Sequence, residues 1–421
     1  MSSGPRTLRW LRLLPCLALA GWLGNASAAD APIRSAGTLL FTDADTLVVA
    51  DWRGAALHAL KLPPLSVAPA EASRPFNQLQ VAAKVAKALG TSAERLQFED
   101  MAMRPGAGLA YLSLSVDHGR GLPEPAVVTL DAGGLVRRLD LVHAPHSSAL
   151  IAGRPTDDQR FWADVPAATY TVTDMVYQAG KLYVAGLSNA AFASTLRVYD
   201  FPFNGTASAT SVEMYHAVHN QVETRAPIRR MAIATLNGEP TLVAAYTCTP
   251  LVTIPLRDLK DGAHIVGRTV AELGWGSAPV GLVSLETQDG PALLLANSHK
   301  AADLLPVSAI AAASAQPGLA KPINWPTEPY LGVKAIPIPL AGIVKLGVQD
   351  KTFLTVLRRH GSTGALELVS LRQGAFLRLS DFINEYDFAD FRYQASDGFR
   401  GLHGVLRSDE GYPELARRTL P

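Results

Sequence analysis

A short all-β unit recurs five times along the chain: an apolar strand, a tight turn, a second apolar strand, a polar break and a third strand. The clearest copies span residues 172–199 and 228–255. A single unit of this kind leaves apolar surface on both of its faces, so the copies must stack on one another to exclude water. The repeat therefore predicts an all-β fold, a closed β-propeller whose blades pack side by side.

The number of blades follows from aligning the innermost strand of each unit. The aligned positions are Asp100, Asp174, Arg230, Gly281, Gly342 and Gly401. Because the last unit is short, we expect the strands within residues 38–60 to pair with residues 399–406 and close the ring, which removes exposed sheet edges. Six blades are favoured, and seven are the alternative if residues 62–99 contain one more.

Two stretches depart from the strand pattern. Residues 77–89 have helical rather than alternating periodicity, which predicts a helical insertion near residues 76–95. Residues 142–165 are only weakly periodic, and we interpret them as an inserted loop. Such a loop accounts for the wide spacing between Asp100 and Asp174.

The N-terminus has the three parts of a secretory signal peptide. Arginines lie between residues 6 and 12, an apolar run follows at residues 13–23, and small residues lead up to a cleavage point near Ala28. The apolar run is too short to span a bilayer as an anchor. We therefore expect residues 1–28 to be removed. The remainder, residues 29–421, is then a single propeller domain, a periplasmic or secreted bacterial monomer with no membrane span.

The charge balance argues against several kinds of partner. The chain has 38 Lys and Arg against 37 Asp and Glu, so it offers no basic stripe for nucleic acid. It also has no phosphate loop and no dinucleotide fingerprint, which argues against a nucleotide cofactor. After signal cleavage Cys248 is the one cysteine, so no intrachain disulfide can form. The expected partner is a periplasmic protein or a small ligand.

Strand order assigns most histidines to one face of the ring. Because successive strands of a blade are antiparallel, the loop after the second strand lies on the same face as the connection from the outermost strand to the next blade. By this rule seven of the ten histidines share one face with Cys248: His118, His143, His146, His216, His219, His299 and His360.

This clustering suggests a metal site at the mouth of the ring. Imidazole and thiolate groups are ligands for zinc and copper, the two candidate metals. The candidate ligands are His216, His219, Cys248 and His299, and further candidates at the mouth are His118 and His360. The alternative is that all of these are ordinary polar loop residues, since His-x-x-His spacing outside a helix does not force two rings together.

Three charged residues on the innermost strands form the other candidate site. Asp100, Asp174 and Arg230 are expected to face the central channel, where they would clamp a ligand. Alternatively, they pair with one another or with backbone amides and hold the blades together.

The repeats resemble two groups of exported bacterial β-propellers, the tyrosine-valine-threonine-asparagine (YVTN) type and the quinoprotein-like repeat type. The resemblance is carried by residues 46–51 and 181–185, each followed by a polar turn and an outer strand. The Gly-Lys-x-x-Trp dock with which repeat quinoproteins cover their quinone is absent, and so is a tryptophan-aspartate blade signature. The resemblance therefore does not imply binding of pyrroloquinoline quinone.

Three functions are consistent with these features. A ligand-binding, protein-binding or scaffold module at the mouth is favoured, because no catalytic constellation can be assembled from the sequence. The alternative is a metal-dependent oxidoreductase or redox-partner subunit that uses the His and Cys residues. A second alternative is a periplasmic hydrolase or lyase that uses the axial carboxylates Asp100 and Asp174.

Overall fold

A computed structural model describes Met1 and residues 32–248, 250–274, 278–323 and 330–373 of the chain. Within these residues the chain forms 28 β-strands and only short helices. The dominance of strands agrees with the predicted all-β fold. The predicted signal peptide, apart from Met1, and residues 399–406 lie outside the described residues.

The strands are numbered in chain order. The first fourteen are β1 (Leu39–Asp43), β2 (Thr46–Asp51), β3 (Ala56–Lys61), β4 (Asn77–Gln78), β5 (Leu96–Arg104), β6 (Leu109–Val116), β7 (Glu124–Asp131), β8 (Val136–Arg138), β9 (His146–Leu150), β10 (Arg160–Trp162), β11 (Val165–Pro166), β12 (Asp174–Gln178), β13 (Lys181–Leu187) and β14 (Ser194–Asp200). The other fourteen are β15 (Ser208–His216), β16 (Gln221–Glu223), β17 (Arg230–Leu236), β18 (Glu239–Ala245), β19 (Pro250–Pro255), β20 (His264–Leu273), β21 (Pro279–Thr287), β22 (Gly290–Asn297), β23 (Ala302–Pro306), β24 (Tyr330–Gly332), β25 (Ile336–Ile338), β26 (Ile343–Val348), β27 (Phe353–Arg359) and β28 (Leu366–Arg372).

Short helices lie between the strands. They are the α-helices α1 (Pro69–Ala72), α2 (Val81–Leu89) and α3 (Val307–Ser314), and 3-10 helices at Ala93–Arg95, Ala167–Tyr170 and Leu256–Asp258. α2 is the helical insertion predicted near residues 76–95, and it buries Val81 and Val85 completely. The helix ends at Leu89 and is followed by Gly90, whose left-handed conformation is the usual way to close a helix C-terminus.

The strands form four four-stranded sheets, a two-stranded sheet of β10 and β11, and one ten-stranded sheet. The ten-stranded sheet contains two four-stranded blades joined through β15 and β20, so the blades of a β-propeller number six. Numbered around the ring, blade 1 is β1–β2–β3–β9, blade 2 is β12–β13–β14–β15, blade 3 is β17–β18–β19–β20, blade 4 is β21–β22–β23–β25, blade 5 is β26–β27–β28–β4, and blade 6 is β5–β6–β7–β8. Within the described residues the blade count is therefore six, the number favoured by the sequence.

The ring is closed within the described residues. The innermost strands contact one another in the order β1, β12, β17, β21, β26 and β5, and β5 contacts β1 again. Six clusters of buried apolar residues lie one at each interface between neighbouring blades. Each blade is thus stabilised by apolar burial against both of its neighbours.

Strand alternation explains how one blade packs in two directions. In β2, Leu47 and Val49 pack toward blade 6, and Val48 and Ala50 pack toward blade 2. Successive side chains of a strand point to opposite faces of the sheet, so a blade between two others needs apolar residues at every position. This requirement accounts for the continuous apolar strands in the sequence.

The fourth strands of two blades come from distant parts of the chain. β9 completes blade 1 by pairing with β3. β4 completes blade 5 by pairing with β28. The interpretation of residues 142–165 as an inserted loop is therefore wrong for residues 146–150, which are a blade strand.

The innermost strands of the described residues already form a closed ring, and the expected pairing of residues 399–406 lies outside those residues and stays a prediction. Residues 38–60, predicted to complete the last blade, form blade 1 together with β9. The sixth innermost strand among the described residues is β1, and the aligned segment at Gly401 lies outside them. The outer edge of the last blade is occupied by the two residues of β4, just before α2. β4, from the N-terminal part of the chain, thus completes the last blade. The local sequence pattern does not predict a strand at this position.

Blades 2 and 3 have an additional connection at the rim. Their outermost strands, β15 and β20, pair in parallel along Ser211–Met214 and His264–Gly267. This pairing places the end of β15 beside the middle of β20, where the Thr269 hydroxyl donates to the Tyr215 carbonyl at 2.6 Å, close to one of the candidate sites. None of the helices in the described part of the chain has the length and apolar character needed to cross a bilayer.

Candidate functional site

One face of the ring, here called the mouth, carries the loops that follow the second strands. His118, Cys248, His299 and His360 follow β6, β18, β22 and β27, and His216 ends β15. Since the strands of each blade alternate in direction, all of these positions lie on the same face.

His146 does not belong to the mouth. It lies within β9 and pairs with Leu60, at the end of β3 that points away from the mouth. Its ring packs edge-on against His58, with 5.4 Å between the ring centroids. The assignment of His146 to a loop on the mouth is therefore wrong, because residues 146–150 form a strand.

Three of the mouth histidines are exposed and bonded within their own loops. His118 pairs with Glu124 at 2.7 Å. His299 bonds the Ser298 hydroxyl at 2.6 Å, and His360 bonds the Ser362 hydroxyl at 3.1 Å. His299, a predicted metal ligand, lies outside the group of clustered ligand atoms that the described residues form.

His216, His219 and Cys248 do come together. Their ligand atoms all lie within 4.8 Å of one another, and the two imidazole rings have centroids 3.9 Å apart. His216 is buried at the end of β15, and Cys248 lies in the turn between β18 and β19 with a left-handed φ of 68°. The sequence named these three residues, and the structure makes them neighbours across the interface of blades 2 and 3.

Glu223 holds both imidazole rings from one side. Its Oε1 atom lies 2.9 Å from His216 Nδ1 and 2.6 Å from His219 Nδ1. Burial alone would raise the pKa of Glu223, but the hydrogen bonds with His216 and His219 outweigh it and lower the pKa to about 2. Glu223 is therefore a carboxylate at neutral pH, and each Nδ1 donates to it.

Glu272 provides a second carboxylate on the other side of His216. Its Oε2 atom lies 4.0 Å from His216 Nε2, and its Oε1 atom accepts the backbone N–H of Ala217 at 2.7 Å. The Glu272 side chain is fully buried. Burial, followed by the charges of Glu272 and Glu223, raises the pKa of the Cys248 thiol. The cluster thus has an electrostatic environment that favours a cation.

The channel residues Asp100 and Asp174 contact the neighbouring blades. Asp100 Oδ2 accepts the backbone N–H of Leu39 at 2.9 Å, and Asp174 Oδ2 accepts the backbone N–H of Met231 at 2.7 Å. Burial raises the pKa of Asp174 to about 6, although the charge of Arg230 opposes this shift. These contacts support the alternative in which the carboxylates hold the blades together.

Two cations complete this channel cluster. Arg230 lies 3.9 Å from Asp100 and 3.5 Å from Asp174, and Lys345 Nζ lies 3.4 Å from Asp100 Oδ1. Burial, then the charge of Arg230, lowers the pKa of Lys345. Lys345 was not predicted from the sequence. The reason is a register irregularity between Ile343 and Lys345, which a simple alignment of inner strands misses.

A cavity of about 480 Å³ lies above this cluster, at the mouth. It is lined by residues of the β2–β3 turn, the β6–β7 loop and the segments that enter β1, β5, β12 and β17. The charged residues of its lining are Arg53, Glu99, Arg229, Arg230 and Lys345. Four cations against one anion make this cavity positive at its wall.

A larger cavity, of about 680 Å³, lies between blades 1 and 6. Its charged lining residues include Glu124 and Arg138, which pair with each other. Asp140 also lines it and pairs with His143, and the apolar part of the wall comes from Pro32, Ile33, Pro125, Leu139, Leu141 and Val142. The charges of the Glu124–Arg138 pair neutralise each other. The smaller cavity at the mouth is therefore the stronger candidate for binding a charged ligand.

Comparisons with known proteins add little to these observations. No protein-family model and no curated protein matches the chain. The chain is similar to the "Crystal Structure of Mitotic Checkpoint Complex", with 9% identity, a TM-score of 0.33 and coverage of 88% of this chain and 99% of that chain. It is also similar to "BBS1N in complex with ARL6DN, soaked with mercury", with 12% identity, a TM-score of 0.27 and coverage of 78% and 75%. At these values the propeller assignment depends on the described sheets themselves.

Proposed function

We propose that the protein is an exported binding module that takes up a small anionic ligand in the cavity at its mouth. The observation that carries this proposal is the positive charge that Arg53 and Arg229 give the cavity wall, whose lining has one carboxylate, Glu99. The volume of about 480 Å³ is within the usual range for sites that enclose small molecules.

The arginines at the top of the cavity are held in positions suited to an anion. The Arg229 guanidinium lies over the ring of Tyr170 at 5.2 Å, and the Arg53 guanidinium lies over the ring of Trp52 at 4.9 Å. Stacking orients a guanidinium without using up its N–H donors, and Arg53 uses one nitrogen to donate to the Pro123 carbonyl at 2.8 Å. A planar fork of donors then suits the two oxygens of a carboxylate or phosphate group.

The two cations deeper in the cavity have a different role. Arg230 and Lys345 are already paired with Asp100 and Asp174. Their charges are largely balanced there, so they define the floor of the cavity rather than its main ligand donors. The backbone contacts of both carboxylates support a structural role, and for this reason we do not propose hydrolase or lyase activity.

Titration calorimetry with citrate, glucuronate and inorganic phosphate tests the proposal. We expect at least one of these anions to bind the native chain, and Arg229→Gln to weaken that binding by roughly tenfold or more, since a hydrogen bond to a charged group contributes about 1.5–3 kcal/mol. Arg225→Gln is the matched control, because Arg225 is exposed on the same segment and does not line the cavity.

Two results would contradict the proposal. One is the absence of binding by all three anions, and the other is an equal loss in the Arg225→Gln control. If no anion binds but an immobilised sample retains a periplasmic protein through the mouth, the partner-binding alternative replaces the small-ligand proposal.

A further inference from the structure

A second site, independent of the cavity at the mouth, lies at the rim between blades 2 and 3. Its donors are His216, His219 and Cys248, whose ligand atoms lie within 4.8 Å of one another. A tetrahedral zinc ion with bonds of about 2.0–2.3 Å separates its donors by roughly 3–4 Å. Small side-chain rotations therefore bring the three atoms to the spacing that a metal requires.

Glu223 accepts hydrogen bonds from the Nδ1 atoms of His216 and His219, which leaves the Nε2 atom of each ring to bind a metal. Both Nδ1 atoms donate to Glu223 Oε1, so the lone pair of each ring is on Nε2. A carboxylate behind the imidazole ligands is the usual arrangement around metal sites, because it fixes the tautomer and the ring orientation. One carboxylate here serves both rings.

His216 Nε2 is the observation that points to a ligand. The His216 side chain is only 2% exposed, and its Nε2 atom has no hydrogen-bond partner among the described residues. A buried polar atom in this state destabilises the folded protein unless something binds to it. Glu272 Oε2 lies 4.0 Å from this atom, beyond hydrogen-bond distance.

We propose that His216, His219 and Cys248 bind one Zn²⁺ ion that joins blade 2 to blade 3, and that the Glu272 carboxylate, 4.0 Å from His216 Nε2 and outside the clustered group, moves in as the fourth donor. Two imidazoles, one thiolate and one carboxylate are all ligands that zinc accepts in four-coordinate sites. Four protein donors leave no open position, so the ion has a structural role. Binding releases the thiol proton of Cys248 to solvent as the Zn–S bond forms.

The position of the four donors in the fold supports the structural role. His216 ends β15 and His219 follows it, both in blade 2, while Cys248 and Glu272 belong to blade 3. The parallel pairing of β15 and β20 already joins these blades at the rim. An ion at the end of that pairing fixes the β15–β16 hairpin against the β18–β19 turn.

The test uses the full mature chain, stripped with EDTA and reloaded with zinc chloride alone. We expect elemental analysis to find one zinc per chain and thermal unfolding to shift upward on reloading. His219→Ala and Cys248→Ser should both abolish this stoichiometric binding. His219 is 45% exposed, so its replacement leaves the core intact and keeps the test valid if the Cys248 variant folds poorly.

Two further variants separate a metal site from a hydrogen-bonded cluster. His299→Ala removes an exposed histidine of the same face and should retain one zinc. Glu223→Gln should weaken zinc binding by about 10- to 100-fold, because it disturbs ring orientation without removing a ligand. Cobalt substitution should give a thiolate-to-cobalt charge-transfer band that the Cys248→Ser variant lacks.

Several outcomes would overturn the proposal. The proposal is wrong if the native chain takes up no zinc, or if both the Cys248→Ser and His219→Ala variants bind zinc as the native chain does. It is also wrong if protein purified without added metal contains copper instead of zinc. None of these measurements depends on anion binding at the mouth, so the two proposals fail or stand separately.

Discussion

Asp100 and Asp174 occupy the same position in two repeats and make the same contact with the next blade around the ring. Asp100 accepts the backbone N–H of Leu39 in blade 1, and Asp174 accepts the backbone N–H of Met231 in blade 3. Each carboxylate therefore connects two innermost strands. Because Arg230 lies within 4 Å of both, it joins the two contacts into a single charged cluster across the channel.

Removing the carboxylate of Asp100 should strongly destabilise the fold. Asp100→Ala leaves the Leu39 amide without its acceptor and leaves Lys345 without the carboxylate 3.4 Å away. Breaking a buried ion pair in this way typically costs about 3–5 kcal/mol. Urea denaturation measures the change in the free energy of unfolding. Asp200→Ala removes only the exposed pair with Lys181 and should change the free energy of unfolding far less. Similar changes for both variants would contradict a role of Asp100 in holding the blades together.

The raised pKa of Asp174 predicts a pH dependence of stability. The folded protein keeps the Asp174 proton up to about pH 6, whereas the unfolded chain releases it near the ordinary value of 3.8. The contribution of this group is therefore fully present below about pH 4 and is lost as the pH rises through 6, a fall of roughly 3 kcal/mol. Asp174→Asn keeps an acceptor for Met231 but cannot titrate. The difference between the unfolding free energies of the two proteins should change between pH 4 and 6, and parallel curves would refute the assignment.

Closure of the ring by β4 makes Phe76 a critical residue. Phe76 is buried between blades 5 and 6, and its backbone N–H donates to the Ser370 hydroxyl at 2.8 Å. Phe76→Ala should lower the free energy of unfolding by about 3–5 kcal/mol through the cavity it creates. Phe192→Ala, which truncates a half-exposed ring, should change it by less than about 0.5 kcal/mol. Equal effects in chemical denaturation would count against closure at this point.

Export should produce a mature chain that begins near residue 29. The tripartite N-terminus predicts cleavage close to Ala28. Intact-mass spectrometry of protein recovered from the periplasm of an expressing bacterium measures the processed length. Recovery of a chain that still contains Cys16 would contradict cleavage at this site.

Much of the candidate sites could be predicted because strand direction is a local property. Alternation and turn residues place the strands, and the antiparallel order of a blade then assigns His216 and Cys248 to one face. The same reasoning places Asp100 and Asp174 on inner strands. The same reasoning fails at His146. This residue lies in β9, which completes blade 1, while the other three strands of that blade come from an earlier part of the chain.

The all-β repeat, the helical insertion and the shared face of His216 and Cys248 could be predicted from the sequence, because each follows from the local period of side chains along a strand or helix. Six blades were favoured over seven on the same basis. Only the tertiary structure decided which segments serve as fourth strands, since the two residues of β4 and the five of β9 carry no periodic signal of their own. It likewise decided that Lys345 joins the channel cluster and that Glu223 and Glu272 enclose His216. Those contacts depend on a register irregularity and on the parallel pairing of two rim strands, and pairing between distant segments is set by packing of the whole ring rather than by local pattern.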